Sequence, residues 1–282
     1  MKASDFISNI GKTAKSTAKI VLKSRSTRLR PSRTNETLII LANGPSLNQT
    51  LSENVSVLKT FDTLSVNFAP LSDAFFDIKP KYHVLADPLF FAADKTFNVK
   101  DLYKKLAEVD WALTLLIPNS FSKQLPSEVT GNPNIKLETF NFVGLEGFDW
   151  FTTLAYNGKL GMPRPRNVLI PALMCGIWLG YKEIYIAGAD HSWMKTISVD
   201  ENNNVVSVQP HFYKDDKKEQ ARVDETYRNF RLHDIVNSFA IAFRSYHSLQ
   251  RYAQKKGVKI VNSTPGSFID AFPRGDLPRS KK

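Results

Sequence analysis

Four short, mainly apolar runs in this chain each break off at a polar residue: TLIILA before Asn43, LSV before Asn67, YHVLA before Asp87 and IYIAGA before Asp190. A strand with one wet face alternates apolar and polar side chains, whereas a strand covered on both faces reads as a nearly continuous apolar run. Runs of the second kind, separated by segments of helical period, restrict the chain to an α/β architecture: a mostly parallel sheet with helices on both faces. Strands are predicted at 37–42, 63–66, 81–86, 111–117, 136–141, 183–187 and 258–261, and helices at 48–58, 99–109, 168–179 and 225–256. At 282 residues the chain suffices for one such domain with appendages.

Ligands of parallel sheets bind beyond the carboxyl ends of the strands. The four polar run-ends are therefore predicted to converge on one edge. The turn Asn43-Gly44-Pro45-Ser46 follows the first strand directly. Gly44 lets backbone approach a ligand without a Cβ in the way. Ser46 suits a helix N-cap or a ligand contact, and the free N–H groups of the following helix suit a phosphate or carboxylate. The turn matches neither GxGxxG nor GxxxxGK[ST], so ordinary dinucleotide and P-loop readings are weak. Asp87 serves equally well as a turn residue before Pro88. Asp190 and His191 emerge just after Gly188, which favours a functional role for both.

The net charge of +11 suggests nucleic acid until it is divided along the chain. Residues 1–34 carry +8 and residues 271–282 carry +3, so the body is neutral and no nucleic-acid partner is expected. Residues 3–23 have helical period, with Phe6, Ile7, Ile10, Ala14, Ala18 and Val21 on one face and Lys12, Lys15, Lys19 and Lys23 roughly opposite. Arg25, Arg28, Arg30 and Arg33 follow in a polar stretch read as flexible. A basic amphipathic helix and linker over 1–34 predict attachment to an anionic membrane surface through residues 3–33, with packing of the helix on the body as the alternative. No run is long enough to span a bilayer, no secretory signal is evident, and the lone Cys175 sits in an apolar run. The expected location is cytoplasmic, on the inner face of the membrane. The domain is expected over 35–272, with a short basic tail at 273–282. Two stretches break the strand–helix alternation. Residues 142–166 are rich in aromatics, Gly and Pro, and 194–224 form a polar insertion, read as a lid, with a hairpin signal at DENNN.

Five histidines are candidates for acid–base work. His83 lies within a strand and His247 in mid-helix, so both read as structural or surface groups. His211 falls in the lid, and His233 lies beside Asp234 near the start of the last long helix. There is no HExxH, Cys cluster or paired-His spacing for a metal, and no GxSxG elbow. An Mg²⁺ held by Asp87 and Asp190 remains open at this level.

Together ILANGPSL, SVNF and LGYKEIYIAGADHSW resemble two groups over about 37–272. One is the bacterial sialyltransferase family with its N-G-P-S-L turn and G-Y-K-E-I-Y strand. The other is the MptE-like 6-hydroxymethylpterin diphosphokinase domain of surface-polysaccharide gene clusters, which PKYHVLADP, GMPRPRNVL and TPGSFIDAF resemble more closely.

The sialyltransferase resemblance implies a Rossmann-like fold, a CMP-activated donor, inversion at the anomeric carbon and no obligatory metal. It implies that Asn43, Ser46 and Asn67 hold the nucleotide, that Tyr213 supports the donor phosphate, and that His233 is the general base; His191 is the alternative base if the lid folds differently. Arg164 and Arg166 are candidates for an anionic donor or acceptor. The aromatic residue after G-x-D is replaced by His191, and small polar residues before the G-Y-K helix by Asn167-Val168. The diphosphokinase resemblance implies ATP and Mg²⁺, with Asp87 and Asp190 as ligands. The basic helix favours the transferase, whose acceptor is a surface or lipid-linked glycan. A non-catalytic nucleotide-binding module is the third reading.

Overall fold

The computed structural model describes residues 3–27, 29–31, 33–92, 97–207 and 230–279. Seven strands form one parallel sheet: β1 (Thr37–Leu41), β2 (Asp62–Val66), β3 (Tyr82–Val84), β4 (Leu113–Pro118), β5 (Ile135–Phe140), β6 (Glu183–Ala187) and β9 (Lys259–Asn262). Their order is β5-β4-β3-β2-β1-β6-β9. The chain lays down β1 to β5 in one direction, then returns to place β6 on the other side of β1. The order therefore reverses between β1 and β6, and in sheets of this kind the ligand crevice lies at the carboxyl ends beside that reversal. The predicted Rossmann-like, helix-covered parallel sheet is the observed one.

Strand β1 shows why its sequence is uniformly apolar. Leu38 and Ile40 join the core beneath α7 (Leu169–Trp178) and α8 (Leu232–Lys255), while Ile39 and Leu41 join the opposite core beneath α2 (Leu47–Leu58). Every residue of α7 is buried, so this helix lacks the polar face of a surface helix. Beyond β2, helices α3 (Asp73–Ile78), α4 (Phe97–Ala107) and α5 (Ser127–Thr130) cover the far end of the sheet. The hairpin signal at DENNN corresponds to the antiparallel pair β7 (Ile197–Val199) and β8 (Val205–Ser207). The rest of the expected lid, including His211 and Tyr213, lies outside the described residues. The unassigned stretch 142–166 contains α6 (Asp149–Asn157) and receives the N-terminal helix.

Helix α1 (Ala3–Lys23) is present, but it docks by neither predicted face. Its seam against the body is Asn9, Thr13, Ser16 and Ile20. The Thr13 hydroxyl accepts from the Phe148 N–H at 3.0 Å, the Ser16 hydroxyl donates to the Glu146 carbonyl at 2.7 Å, and Lys19 Nζ donates to the Gly144 carbonyl at 3.0 Å. At about 100° per residue this seam runs between the apolar stripe and the lysine row. Ile7, Ile10 and Val21 remain 69%, 49% and 74% exposed. The segment after α1 is not the flexible linker expected. Leu29 is buried in the main core, and the Arg25 N–H donates to Asn141 Oδ1 at 2.9 Å, because an apolar anchor within a basic stretch gives it a place to pack.

Candidate functional site

The register between β1 and β2 sets Leu41 opposite Ser65, so Asn43 and Asn67 leave the sheet side by side. Asn67 ends β2 in the left-handed region, at φ 50°, and its N–H donates to the Val84 carbonyl at 3.0 Å. Asparagine tolerates this conformation better than most non-glycine residues. The side-chain oxygens Asn43 Oδ1 and Asn67 Oδ1 are both buried with no hydrogen-bond partner among the described residues. Buried polar atoms are nearly always paired, so these two acceptors make the carboxyl ends of β1 and β2 a candidate place for donor groups.

On the other side of the crevice, the loop after β6 folds against the β1 turn. Asp190 Oδ2 accepts from Ser46 Oγ at 2.7 Å and from Ser46 N at 3.3 Å. Gly44 N–H donates to the Gly188 carbonyl at 2.7 Å. A Cβ at Gly44 would lie 2.0 Å from Asp190 Oδ2 and 2.6 Å from the Gly188 oxygen. Gly44 thus serves an internal approach of loop to loop rather than leaving room for a ligand.

This arrangement corrects two expectations. Ser46 makes no side-chain cap, because its own backbone is helical and its hydroxyl is directed at Asp190. The turn also offers no set of free N–H groups for a phosphate. Gly44, Ser46, Leu47 and Asn48 donate to Gly188 O, Asp190 Oδ2, Gly44 O and Pro45 O respectively. The carboxylate that a helix N-terminus favours is supplied by the protein itself.

Asp87 accepts from the Leu89 N–H at 3.0 Å and caps the short turn Pro88–Phe91, which matches its reading as a turn residue. Both acidic side chains proposed as Mg²⁺ ligands are thus engaged in shaping loops. Among the described residues no three His, Cys, Asp or Glu side chains cluster as metal ligands.

His191 follows Asp190 with φ 51°, and its ring lies 4.2 Å from that of Trp193 and 5.5 Å from that of Tyr246. Its Nε2 is 2.6 Å from the Tyr246 hydroxyl. Burial pushes the imidazole down to a pKa of about 3, so the ring is neutral at physiological pH. His233 is placed differently: its side chain is 82% exposed on the first turn of α8, 3.4 Å from Asp234. His83 is fully buried with Nδ1 2.8 Å from Ser65 Oγ, and burial lowers its pKa to about 3. His247 is a surface residue paired with Asp270 at 3.1 Å. Arg164 is half-exposed, 3.5 Å from Glu146, and Arg166 is exposed.

Sequence reasoning missed Tyr246 and Trp193, and noticed Asn167 only as a departure from a motif. The signal for Asn167 was its place two residues before α7, where its Oδ1 accepts from the Leu169 N–H at 3.0 Å. Tyr246 carries no local signal, being one aromatic residue within a long amphipathic helix.

No family model matches the sequence, and no curated protein matches it. Solved structures do. The fold is shared with a glycosyltransferase. The chain aligns over 94% of its length with the MAf glycosyltransferase from Magnetospirillum magneticum AMB-1, at a TM-score of 0.51 and 12% identity. It spans 38% of that enzyme's length, so the likeness concerns one part of a larger protein and its fold alone. A mammalian sialyltransferase aligns over 81% of this chain and 77% of its own, at a TM-score of 0.35 and 10% identity, too distant to carry weight.

Proposed function

We propose that the chain is an inverting glycosyltransferase, sialyltransferase-like in plan, which moves a sugar from a nucleotide donor to a surface-glycan acceptor. The observation that carries this reading is the pair of buried acceptors, Asn43 Oδ1 and Asn67 Oδ1, side by side at the carboxyl ends of β1 and β2, the first of them next to the point where the strand order reverses. Phosphate oxygens only accept hydrogen bonds, so these atoms are suited to ribose hydroxyls or a base amino group. Cytosine presents such an amino group, which favours a CMP-linked donor. The leaving phosphate then draws on side chains: the amide nitrogens of the two asparagines, Arg164 or Arg166, and Tyr213.

His191 is the general base of this reading, because it follows Asp190 in the loop after β6, whereas the His233 side chain is exposed on the first turn of α8. General-base catalysis is worth about 10²–10⁴-fold. His191→Ala should therefore lower kcat at least about a hundredfold. Turnover retained in that variant and lost in His233→Ala would transfer the role to His233.

Thermal shift with CMP, CDP and ATP–Mg²⁺, each with and without EDTA, tests the reading. A ligand at a hundred times its Kd stabilises by about 2.7 kcal/mol. CMP or CDP should raise Tm in EDTA. A strict requirement for ATP and Mg²⁺ would favour the diphosphokinase, and binding with no turnover of any nucleotide sugar would leave a nucleotide-binding module.

The membrane attachment belongs to the same proposal. Among the described residues no helix is long and apolar enough to cross a bilayer. Helix α1 is held on the body through a polar seam while its apolar stripe faces outward. Phe6 meets Phe148 at the start of α6 with ring centroids 5.4 Å apart, and Trp150 and Leu154 on α6 are each 65% exposed. A peripheral position on the inner face of the cytoplasmic membrane would cover these groups and bring the crevice to a lipid-linked acceptor.

A further inference from the structure

Three elements meet behind His191, and their hydrogen bonds leave one consistent placement of protons. Asn167 Oδ1, ahead of α7, accepts from the Leu169 N–H at 3.0 Å and from the Tyr246 hydroxyl of α8 at 2.9 Å. Both are donors, so the oxygen of the amide must face them. The Asn167 Nδ2 is turned away and is buried with no partner among the described residues. A phenol has one proton, and that of Tyr246 is directed at Asn167. The 2.6 Å contact between Tyr246 and His191 therefore needs its proton from the imidazole, with Nε2–H donating to the phenol oxygen. In a neutral ring this leaves Nδ1 with a lone pair.

We propose that Tyr246 is a positioning residue which, held by Asn167, fixes His191 as its Nε2–H tautomer and so keeps Nδ1 ready to take the proton of the acceptor hydroxyl. The last clause rests on the glycosyl-transfer reading; the tautomer does not. The step balances. The acceptor O–H proton passes to His191 Nδ1 while the oxygen forms its bond to the anomeric carbon of the donor. The bond from that carbon to the phosphate oxygen breaks, and its electron pair leaves with the nucleotide. The imidazolium so formed keeps its Nε2–H bond to Tyr246, and the negative charge of the departing phosphate compensates it.

The surroundings support a held ring. Burial raises the phenol pKa, so Tyr246 keeps its proton and stays a neutral acceptor toward Nε2–H. The Trp193 ring lies against the imidazole on one side, Phe243 is 6.5 Å away, and the left-handed backbone at His191 restricts where the ring can go.

Nitrogen-15 NMR of the imidazole rings in the full chain, with His191 assigned by its loss in His191→Gln, reads the tautomer without any substrate. The expected wild-type signature at pH 7 is a protonated Nε2 and an unprotonated Nδ1. In Asn167→Ala the phenol proton is released and can turn toward Nε2, so the ring should shift to the Nδ1–H tautomer. In Tyr246→Phe the ring loses its acceptor and should populate both tautomers. Where a nucleotide sugar is turned over, Asn167→Ala should lower kcat tenfold or more, and Tyr246→Phe, which keeps part of the active tautomer, should lower it less, with the donor KM nearly unchanged in both. A wild-type ring that is Nδ1–H, or charged, at pH 7 overturns the proposal, as does unchanged kcat in folded variants whose tautomer has shifted. The expected tautomers with no turnover of any nucleotide sugar would sink the glycosyl-transfer reading, and with it the proton-acceptor role, while leaving the relay intact. If Tyr246→Phe fails to fold, Asn167→Ala decides alone.

Discussion

The Ser46 hydroxyl reaches Asp190 Oδ2 across 2.7 Å and ties the turn after β1 to the loop after β6 at the switch point of the sheet. The two residues are 144 positions apart in sequence and belong to the two strands whose loops wall the crevice. The tie predicts a ranking. Asp190→Asn keeps an acceptor oxygen for Ser46 and should cost little, whereas Asp190→Ala leaves the Ser46 groups unpaired, at about 1–3 kcal/mol. Urea midpoints of the two variants measure this. If Asn and Ala cost the same in stability and both abolish activity, Asp190 contributes carboxylate chemistry rather than a clamp.

Gly44 is expected to be intolerant of a side chain, even though its φ is not in the left-handed region. The added Cβ of Gly44→Ala meets Asp190 Oδ2 and the Gly188 carbonyl, both held by other bonds. Overpacking of this kind typically costs about 1–3 kcal/mol. Because the strain falls on the crevice wall, the Tm rise caused by nucleotide should shrink as well. A variant with wild-type Tm and an undiminished nucleotide shift would mean that the two loops are not packed this closely.

Asn43 and Asn67 should behave oppositely to ordinary buried polar groups. Each has an Oδ1 without a partner among the described residues, so Asn43→Ala, and Asn67→Gly, which suits the left-handed backbone, should be near neutral for stability. Each should weaken nucleotide binding about tenfold, the worth of one hydrogen bond near 1.4 kcal/mol. Isothermal titration with CMP gives the comparison. Unchanged affinity in both variants would remove the pair from the binding site.

Much of the plan was legible because burial on both faces leaves a plain trace: the apolar strands and the polar residues at their ends placed Asn43, Asn67 and Asp190 on one edge. Strand β6 was predicted with its observed bounds, and β1 ends one residue earlier, where Ala42 begins the turn. Short elements such as α3 and α5, of 6 and 4 residues, are too brief to show a period and were not foreseen. Packing of α1 on the body was the alternative expectation and is what the structure shows, but the face that docks was hidden for another reason. Its seam is made of Asn9, Thr13 and Ser16, and polar residues that bond to a partner look in sequence like polar residues that face water. The relay through Tyr246 and Asn167 joins three distant segments by tertiary geometry alone.

Acidification should destabilise the fold before the carboxylates titrate. His83 is fully buried and held near pKa 3 by that burial, against an ordinary 6.5 when unfolded. With the folded value depressed, the unfolded chain binds the proton that the folded chain refuses. The contribution is complete above about pH 6.5 and is lost progressively as the pH falls toward 3. The limiting slope is about 1.4 kcal/mol per pH unit for one such group. His191, whose pKa burial likewise lowers to about 3, acts in the same sense. Urea midpoints at pH 7, 6 and 5 should therefore fall, in a window above the ordinary carboxylate range. His83→Gln should flatten the decline; an equal slope in wild type and variant would place its source elsewhere.

The exposed stripe of α1 predicts membrane binding of a particular kind. The lysine row lies nearly opposite Ile7, Ile10 and Val21, so a helix that meets lipid stripe-first points those lysines away from the surface. Apolar insertion, not headgroup charge, then supplies most of the affinity. Full burial of one Ile or Val is worth about 1.5–3 kcal/mol, so replacing all three with Ser should lower partitioning by well over tenfold. Tm should not change, since the three side chains are largely exposed in the free protein and the docked seam is untouched. Co-sedimentation with phosphatidylcholine vesicles, and with vesicles containing phosphatidylglycerol, at roughly 0.1 and 0.5 M salt separates the two forces. Binding that survives salt and fails in the triple variant fits the stripe. Binding that collapses in salt and ignores the triple variant would make the lysine row the contact face, and equal, low pelleting of both proteins would end the membrane assignment.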